Sequence, residues 1–135
     1  MEKLFSRIDN IRTKEVIDVE ILGMNPNAKI PGLEGPRANC CREGILNSDV
    51  ILVPLEDGDR CEALVAMGKT VIVIDLNPLS RSAKRGTLTI VDELSRVVNN
   101  MLDFAEPLSE VALDDWDNKE NLKQALKHIN DLIQN

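Results

Sequence analysis

Two polar segments of the sequence carry side chains that suit nucleotide chemistry, and each directly follows a run of apolar residues. Residues 54–60 (PLEDGDR) follow the run Val50–Val53, and residues 75–82 (DLNPLSRS) follow the run Val71–Ile74. Ligands of open α/β sheets bind beyond the carboxyl ends of the strands. If the two runs are neighbouring parallel strands, both polar segments lie at one binding crevice.

The segment 75–82 offers groups for several parts of a nucleotide. Asp75 can accept hydrogen bonds from ribose hydroxyls, and the amide of Asn77 can pair with a base or a ribose. Arg81 presents a planar fork that matches phosphate oxygens, and Ser82 adds a hydroxyl donor. The alternative is an ordinary connection between strands, with a turn at Asn77 and Arg81 in solvent. The sequence contains neither GxGxxG nor a P-loop, which argues against Rossmann dehydrogenases and P-loop NTPases.

Acidic side chains flank the same predicted crevice. Glu56, Asp57 and Asp59 lie in the first segment, and Asp92 and Glu93 follow a third β-rich run. Carboxylates repel phosphates unless Mg²⁺ or the ammonium group of an amine substrate lies between them. The alternative for the first segment is capping of the helix that follows it, and Asp92 is predicted to cap a later helix.

A long loop at residues 23–36 precedes these segments, and loops of that length in compact domains are usually functional. Lys29 within the loop and Arg37 just after it are candidates for binding a phosphorylated acid. The alternative is a plain surface loop with solvated basic side chains.

The composition limits the function classes open to the chain. Its 135 residues suit one domain, and an aromatic content of 2% means that the core is aliphatic. The net charge of -7 argues against nucleic-acid binding, which needs basic surfaces. The single histidine and the lack of a CxxC pair argue against a zinc site, and Cys40, Cys41 and Cys61 are expected to be core residues. Without a signal peptide or a membrane-spanning apolar run, a cytoplasmic protein that does not bind membranes is expected.

The elements that would position these residues alternate between strand and helix. Val50–Val53, Val71–Ile74 and Thr87–Val91 predict strands, and Arg60–Met67 predicts a helix closed by Gly68. Strands that are apolar on both faces are typical of a parallel sheet covered on both sides. The predicted fold class is therefore α/β: a Rossmann-like parallel sheet with helices on both faces, in a single domain.

The remaining segments predict flanking elements. Glu15–Leu22 predicts an edge strand, and Arg37–Asn47 predicts a helix. A helix after Asp92 and a last helix at about Lys119–Ile133 each carry an apolar face at helical spacing. Residues 1–105 are expected to form a nucleotide-binding domain, with residues 106–135 as an acidic connector and a helix packed on it. The two apolar faces consist of Leu94, Val97, Val98, Met101 and Leu102, and of Leu122, Ala125, Leu126, Ile129, Leu132 and Ile133.

Four phrases of the sequence are similar to archaeal 4-phosphopantoate–β-alanine ligases, the phosphopantothenate synthetases. They are IPGLE, VPLEDGDR, IDLNPLSR and TIVD, and the similarity covers residues 15–102, matching the carboxyl-terminal half of the family. The resemblance implies a homodimer and ATP-driven amide formation between 4-phosphopantoate and β-alanine through an acyl-adenylate, in coenzyme A biosynthesis. Arg81 would be the catalytic side chain, and Mg²⁺ is expected to accompany ATP. The implied ATP contacts are Asp75, Leu76, Asn77, Arg81, Ser82, Asp92 and Glu93.

The chain departs from the family pattern in two places and in length. Glu93 stands where the family has Asn, and Gly35-Pro36 stands where the family has His. Family members are nearly twice as long, and their amino-terminal half supplies further arginines to ATP. Three hypotheses follow: a ligase or half of one, a non-catalytic nucleotide-binding or regulatory module, and a structural partner that dimerises through its helices.

Overall fold

The fold was analysed in a computed structural model, which describes residues 20–54, 57–104 and 115–134. Five strands and four α-helices lie in these ranges, together with a 3-10 helix at Pro36–Ala38 and a π-helical turn at Arg42–Leu46. The strands are β1 Ala28–Lys29, β2 Asn39–Cys40, β3 Val50–Val53, β4 Thr70–Ile74 and β5 Leu88–Ile90. The α-helices are α1 Gly58–Ala66, α2 Arg81–Arg85, α3 Leu94–Asp103 and α4 Asn118–Gln134.

The central sheet has the order β3-β4-β5, and both pairs of neighbours are parallel. Val50 pairs with Thr70 at one end of the sheet, and Ile74 pairs with Ile90 at the other. These strands form because their runs are rich in β-branched residues, which suit a pleated surface packed on its neighbours. The predicted α/β class, with a parallel sheet flanked by helices, is confirmed.

The core is aliphatic, as the low aromatic content predicts. Val71 and Val73 of β4 are fully buried and belong to one cluster with Leu64 and Cys61 of α1 and with Ile30. Cys40 and Cys41 are buried as well, which confirms the three cysteines as core residues. Burial raises the pKa of the Cys40 thiol, although the nearby Arg60 opposes that rise. A raised thiol pKa leaves little thiolate, so Cys40 is a poor nucleophile.

Helix α1 confirms most of its prediction. It begins at Gly58, two residues before the predicted Arg60, because the Asp57 carboxylate accepts hydrogen bonds from the backbone N–H groups of Asp59 and Arg60. These bonds satisfy donors that the first helical turn leaves without intrahelical partners. The helix ends before Gly68, whose φ of 79° is a left-handed conformation that glycine adopts without steric cost.

The prediction of a helix at Arg37–Asn47 was wrong, because this segment contains three short elements instead of a single helix. Pro36 starts a short 3-10 helix, and Asn39 then pairs with Lys29 in a small antiparallel ladder. That pairing keeps β2 extended, and it also places a strand inside the predicted loop 23–36. The predicted strand Glu15–Leu22 lies mainly outside the described residues, and its described end, Glu20–Leu22, is not in a strand.

The two later helices bury less of their apolar faces than predicted. In α3 only Val97 is buried, whereas Leu94, Val98, Met101 and Leu102 are exposed. In α4 the buried residue is Leu122, and Ile129, Leu132 and Ile133 near the helix end are exposed. The connector predicted at 106–117 lies largely outside the described residues. Within the described part of the chain, no helix has the length and apolarity needed to cross a bilayer.

Candidate nucleotide-binding site

A cavity of about 560 Å³ opens at the carboxyl ends of the three parallel strands. This volume falls within the range of about 300–1,000 Å³ that is typical of small-molecule sites. Segments following all three strands line it, so the predicted convergence is present in the fold. The lining residues are Val53, Pro54, Val73, Ile74, Asp75, Leu76, Ser82, Asp92, Glu93 and Leu94.

The loop after β4 is shaped by its own polar side chains. The Asp75 carboxylate accepts hydrogen bonds from the Asn77 backbone N–H (2.9 Å) and from the Ser80 hydroxyl. The Asn77 side-chain oxygen accepts from the Leu79 backbone N–H at 2.9 Å. Asp75 and Asn77 therefore hold the turn that the sequence offered as an alternative to nucleotide binding. The amide nitrogen of Asn77 is not used by that turn, so both roles fit the same residue.

Helix α2 begins at the rim of the cavity. The Ser80 hydroxyl caps it by accepting from the Ala83 backbone N–H at 3.0 Å. Ser82, in its first turn, lines the cavity, and so does the exposed Leu76 near the start of the loop. Three of the residues named from the sequence, Asp75, Leu76 and Ser82, thus line the cavity from one short connection.

Arg81 makes its described contacts with helix α1 and is not a lining residue of the cavity. Its guanidinium pairs with Asp59 and lies 3.7 Å from Glu62. The aliphatic part of its side chain packs on Gly58, where an added Cβ would come within 2.4 Å of the Arg81 Cγ. Gly58 is therefore the residue that allows α1 and α2 to approach closely at Arg81.

Arg81 belongs to a larger group of ion pairs along α1, here called the α1 ion-pair cluster, comprising Asp57, Asp59, Glu62, Arg37, Arg81 and Arg85. Arg37 lies 3.5 Å from Asp57 and 3.0 Å from Asp59. Arg85 lies 3.1 Å from Glu62. Glu62 was missed by the sequence reasoning, although its position three residues after Asp59 places both carboxylates on one side of a helix.

The pKa of the Asp57 carboxyl is set by opposing effects. Burial raises this pKa, but hydrogen bonds from the backbone N–H groups of Arg60 and Asp59, together with the charge of Arg37, bring it below its ordinary value. Asp57 is therefore ionised at neutral pH. The capping role offered by the sequence for this acidic segment is observed for Asp57.

The third segment differs from its predicted arrangement. Glu93, not Asp92, caps α3: its carboxylate accepts from the backbone N–H groups of Ser95 and Arg96. Asp92 instead accepts from the Glu93 backbone N–H and from the Arg96 side chain, at 2.7 Å and 2.8 Å. The longer Glu side chain reaches back to the first turn, which leaves Asp92 to orient Arg96.

Both of these carboxyl groups are ionised at neutral pH. The hydrogen bond from the Glu93 backbone N–H, and then those from Arg96, hold the pKa of Asp92 below its ordinary value. Hydrogen bonds from the Ser95 hydroxyl and from the backbone N–H groups of Ser95 and Arg96 lower the pKa of Glu93. Both groups can accept hydrogen bonds from ribose hydroxyls, but they repel phosphate.

The remaining candidates divide into two groups. Arg37, Asp57 and Asp59 are brought together in the α1 ion-pair cluster. Lys29 lies on β1 with an exposed side chain and does not line the cavity. Glu56 lies outside the described residues.

The chain is similar to one family throughout most of its length. The family model for phosphopantothenate/pantothenate synthetase matches residues 2–132. The 4-phosphopantoate–β-alanine ligases of Thermococcus kodakarensis and Thermococcus onnurineus are each 46% identical over 123 residues, which is 86% of this chain and 47% of the relative. The corresponding ligase of Methanosarcina mazei is 48% identical over 117 residues, or 82% of this chain and 46% of the relative. The chain spans about half the length of the curated relatives it matches.

Proposed function

The chain belongs to the phosphopantothenate/pantothenate synthetase family, and from that premise we propose that it is the ATP-handling half of a 4-phosphopantoate–β-alanine ligase. The observation that carries the proposal is the cavity at the carboxyl ends of three parallel strands, in a chain 46–48% identical to such ligases. A crevice at this edge is the usual ligand site of open α/β sheets.

The cavity lining suits the nucleoside part of ATP. Apolar side chains, among them Val53, Ile74 and Leu94, offer surfaces for the flat adenine ring. Asp75 and Asp92 offer carboxylate oxygens to the ribose hydroxyls. Asn77 is not a lining residue, but it follows the lining residue Leu76, and its amide nitrogen is the proposed donor from that loop. An apolar pocket with a few oriented polar groups is typical of cofactor sites.

The charges around the cavity suit the triphosphate of ATP less well than the lining suits the nucleoside. Three carboxylates line the cavity, and among the described residues no lysine or arginine does. The neighbouring Arg81, Arg85 and Arg96 each pair with a carboxylate. Phosphates at this site therefore need further positive charge, which Mg²⁺ and cationic side chains from elsewhere would supply.

A Mg²⁺ ion would be held mainly by ATP itself. Among the described residues no group of three His, Cys, Asp or Glu side chains is arranged to bind a metal. Magnesium keeps several water ligands and commonly binds through one or two carboxylates together with substrate phosphates. Asp75 and Asp92, which line the cavity, are the carboxylates that we propose as ligands of this Mg²⁺. The proposed metal therefore enters with the nucleotide.

In the proposed reaction, the carboxylate of 4-phosphopantoate attacks the α-phosphorus of ATP and pyrophosphate leaves. The amine of β-alanine then attacks the acyl carbon, forms the amide, loses a proton and releases AMP. Arg81, next to Ser82 at the cavity rim, is proposed to leave its pair with Asp59 and stabilise negative charge on the α-phosphate. Preorganised cationic donors at developing charge are commonly the largest single contribution to such rates. Lys29 and Arg37 remain proposed contacts of the phosphorylated acid.

We further propose a homodimer in the cytoplasm. The resemblance of the motifs to the ligase family supports the dimer. Three buried cysteines without a disulfide fit a reducing compartment.

Titration of the purified chain with MgATP by calorimetry tests the nucleotide proposal. We expect weak saturable binding, with GTP as a control for base selectivity. Saturable binding would also exclude the purely structural role, and AMP formation separates a ligase from a non-catalytic nucleotide-binding module. Absence of any ATP binding at millimolar concentration would refute the proposal.

A further inference from the structure

Among the described residues, one face of the central sheet carries apolar side chains that are exposed on the edge strand β3 and half-buried at Ile72 and Leu88. Successive side chains of a strand point to opposite faces, and Ile51, Val53, Val71 and Val73 belong to the buried core or pack against it. The alternate residues of β3, Val50 and Leu52, are 55% and 41% exposed. The register places Leu52, Ile72 and Leu88 side by side across the three strands. Val50, Leu52, Ile72 and Leu88 are here called the open sheet face.

An open apolar face is unusual for a parallel sheet, which is normally covered on both sides. It also adjoins an edge, because β3 is the terminal strand of the described sheet. Natural edge strands are commonly protected by charged side chains or proline, and the four residues of β3, VILV, contain neither. Exposed apolar surfaces of this kind mark interaction sites.

A second exposed apolar surface begins near the same end of the sheet. Leu94 at the start of α3 lines the cavity together with Ile74 of β4. Further along α3, Val98, Met101 and Leu102 are exposed. The cavity lining thus includes residues of β3 and of α3, the two elements that carry these exposed apolar side chains.

We infer that the open sheet face is the docking surface for the polypeptide that corresponds to the other half of the relatives' length. The inference rests on the proposed function, because it takes this chain as half of such a ligase. Matching relatives are about twice as long as the part that this chain spans, so a polypeptide of comparable size is available to cover the face. An apolar face on a parallel sheet needs a cover of that kind.

The position of the face also fits the charge balance of the cavity. β3 ends at Val53, and Val53 and Pro54 line the cavity. A polypeptide that covers Val50 and Leu52 and follows β3 to its carboxyl end therefore reaches the rim of the cavity at Val53 and Pro54. From that position it can bring the cationic side chains that a bound triphosphate needs.

The test uses the full chain and a labelled polypeptide made from the Thermococcus kodakarensis ligase, restricted to the half that this chain does not match. Fluorescence anisotropy measures binding to the unaltered chain and to the variants Val50→Lys and Leu52→Glu. Val65→Lys is the matched control, because Val65 is a 37% exposed aliphatic residue on α1, away from the open sheet face. Circular dichroism identifies variants that do not fold. Val50→Thr keeps the β-branched shape, so it tests the same position with a smaller risk of unfolding.

We expect the unaltered chain and Val65→Lys to bind alike. Val50→Lys and Leu52→Glu should each weaken binding by at least about 30-fold, the size of a central interface residue. Val50→Thr should weaken it by about threefold. Equal binding by all variants, or no binding by the unaltered chain, would overturn the inference.

Sedimentation of the chain alone gives a separate outcome. Self-association that Val50→Lys abolishes would overturn the inference by assigning the face to a second copy of this chain. Because anisotropy is measured without nucleotide, a failure of docking is distinguishable from a failure of ATP binding in calorimetry.

Discussion

Removing the charge of Arg81 separates a phosphate-binding role from a structural one. Arg81 pairs with Asp59 and Glu62 on α1, and its aliphatic stem packs on Gly58. Arg81→Met keeps most of that stem and deletes the guanidinium. Arg85→Met is the control, since Arg85 lies on the same helix, pairs with Glu62 at 3.1 Å and is similarly exposed.

The expected loss of stability is small. The Arg81 side chain is 60% exposed, and its partners Asp59 and Glu62 are 29% and 46% exposed. Exposed ion pairs of this kind contribute about 0.2–1 kcal/mol. Thermal unfolding of both variants should therefore occur within a few degrees of the unaltered chain.

The expected loss of ATP affinity is larger and specific to Arg81. A hydrogen bond to a charged group contributes about 1.5–3 kcal/mol, so Arg81→Met should weaken ATP binding by about 10- to 150-fold. Arg85→Met should change it by less than about threefold. Calorimetric titration with MgATP measures both. Unchanged affinity in folded Arg81→Met, or equal losses in the two variants, would refute the role of Arg81.

The remaining predictions concern three other side chains. Asn77→Asp keeps the oxygen that accepts from the Leu79 N–H and removes the amide donor. ATP affinity should therefore fall several-fold while the melting temperature stays unchanged. Lower stability with intact ATP binding would show that Asn77 is a turn residue only. Glu93→Asn keeps a good cap for α3 and removes one negative charge from the cavity. Calorimetry should therefore show ATP binding several-fold more tightly. Weaker binding would show that Glu93 itself contacts the nucleotide. Asp57→Ala should lower the free energy of unfolding by about 1 kcal/mol in urea titrations by removing the α1 cap. Because the folded-state pKa of Asp57 is lowered, its carboxylate stabilises the fold above the unfolded-state pKa, and this contribution is lost as pH falls through the folded-state pKa. The difference in stability from Asp57→Asn should therefore shrink in acid, and a difference that is constant with pH would contradict this.

The sheet and the location of the site could be predicted because their signals are local. Val50–Val53 and Val71–Ile74 are continuous β-rich runs, and both are strands in the parallel sheet. Polar residues that follow such runs must lie at one edge of the sheet. Asp75 and Asp92 line the cavity for that reason.

The failures of prediction come from contacts between residues far apart in the chain. The segment Arg37–Asn47 has helix-forming residues, but pairing of Asn39 with Lys29 extends its first part. The partner of Arg81 depends on how closely α2 packs on α1 at Gly58, which no local pattern reveals. Similarly, the spacing of Val98 and Met101 identifies an apolar face of α3 without indicating what covers it.

The wrong prediction of Asp92, instead of Glu93, as the cap of α3 has a different cause. Aspartate is the better cap by statistics, because its short side chain reaches the next backbone N–H groups easily. Here the Arg96 side chain binds Asp92, and the longer Glu93 side chain folds back onto the first turn of α3. The contact of Asp92 with the Arg96 side chain, one helical turn further along the chain, therefore determines which of the two residues caps α3.

AMP release from ATP in the presence of 4-phosphopantoate and β-alanine tests the central claim most directly. The assay compares this chain alone, the unmatched half of the Thermococcus kodakarensis ligase alone, and the two combined or fused. We predict negligible AMP from either part alone and AMP formed together with 4-phosphopantothenate when both are present, because the second part supplies the positive charge that the described lining of the cavity lacks. Full turnover by this chain alone would contradict the half-enzyme account, and no turnover by a folded fusion would contradict the assignment of ATP chemistry to this cavity.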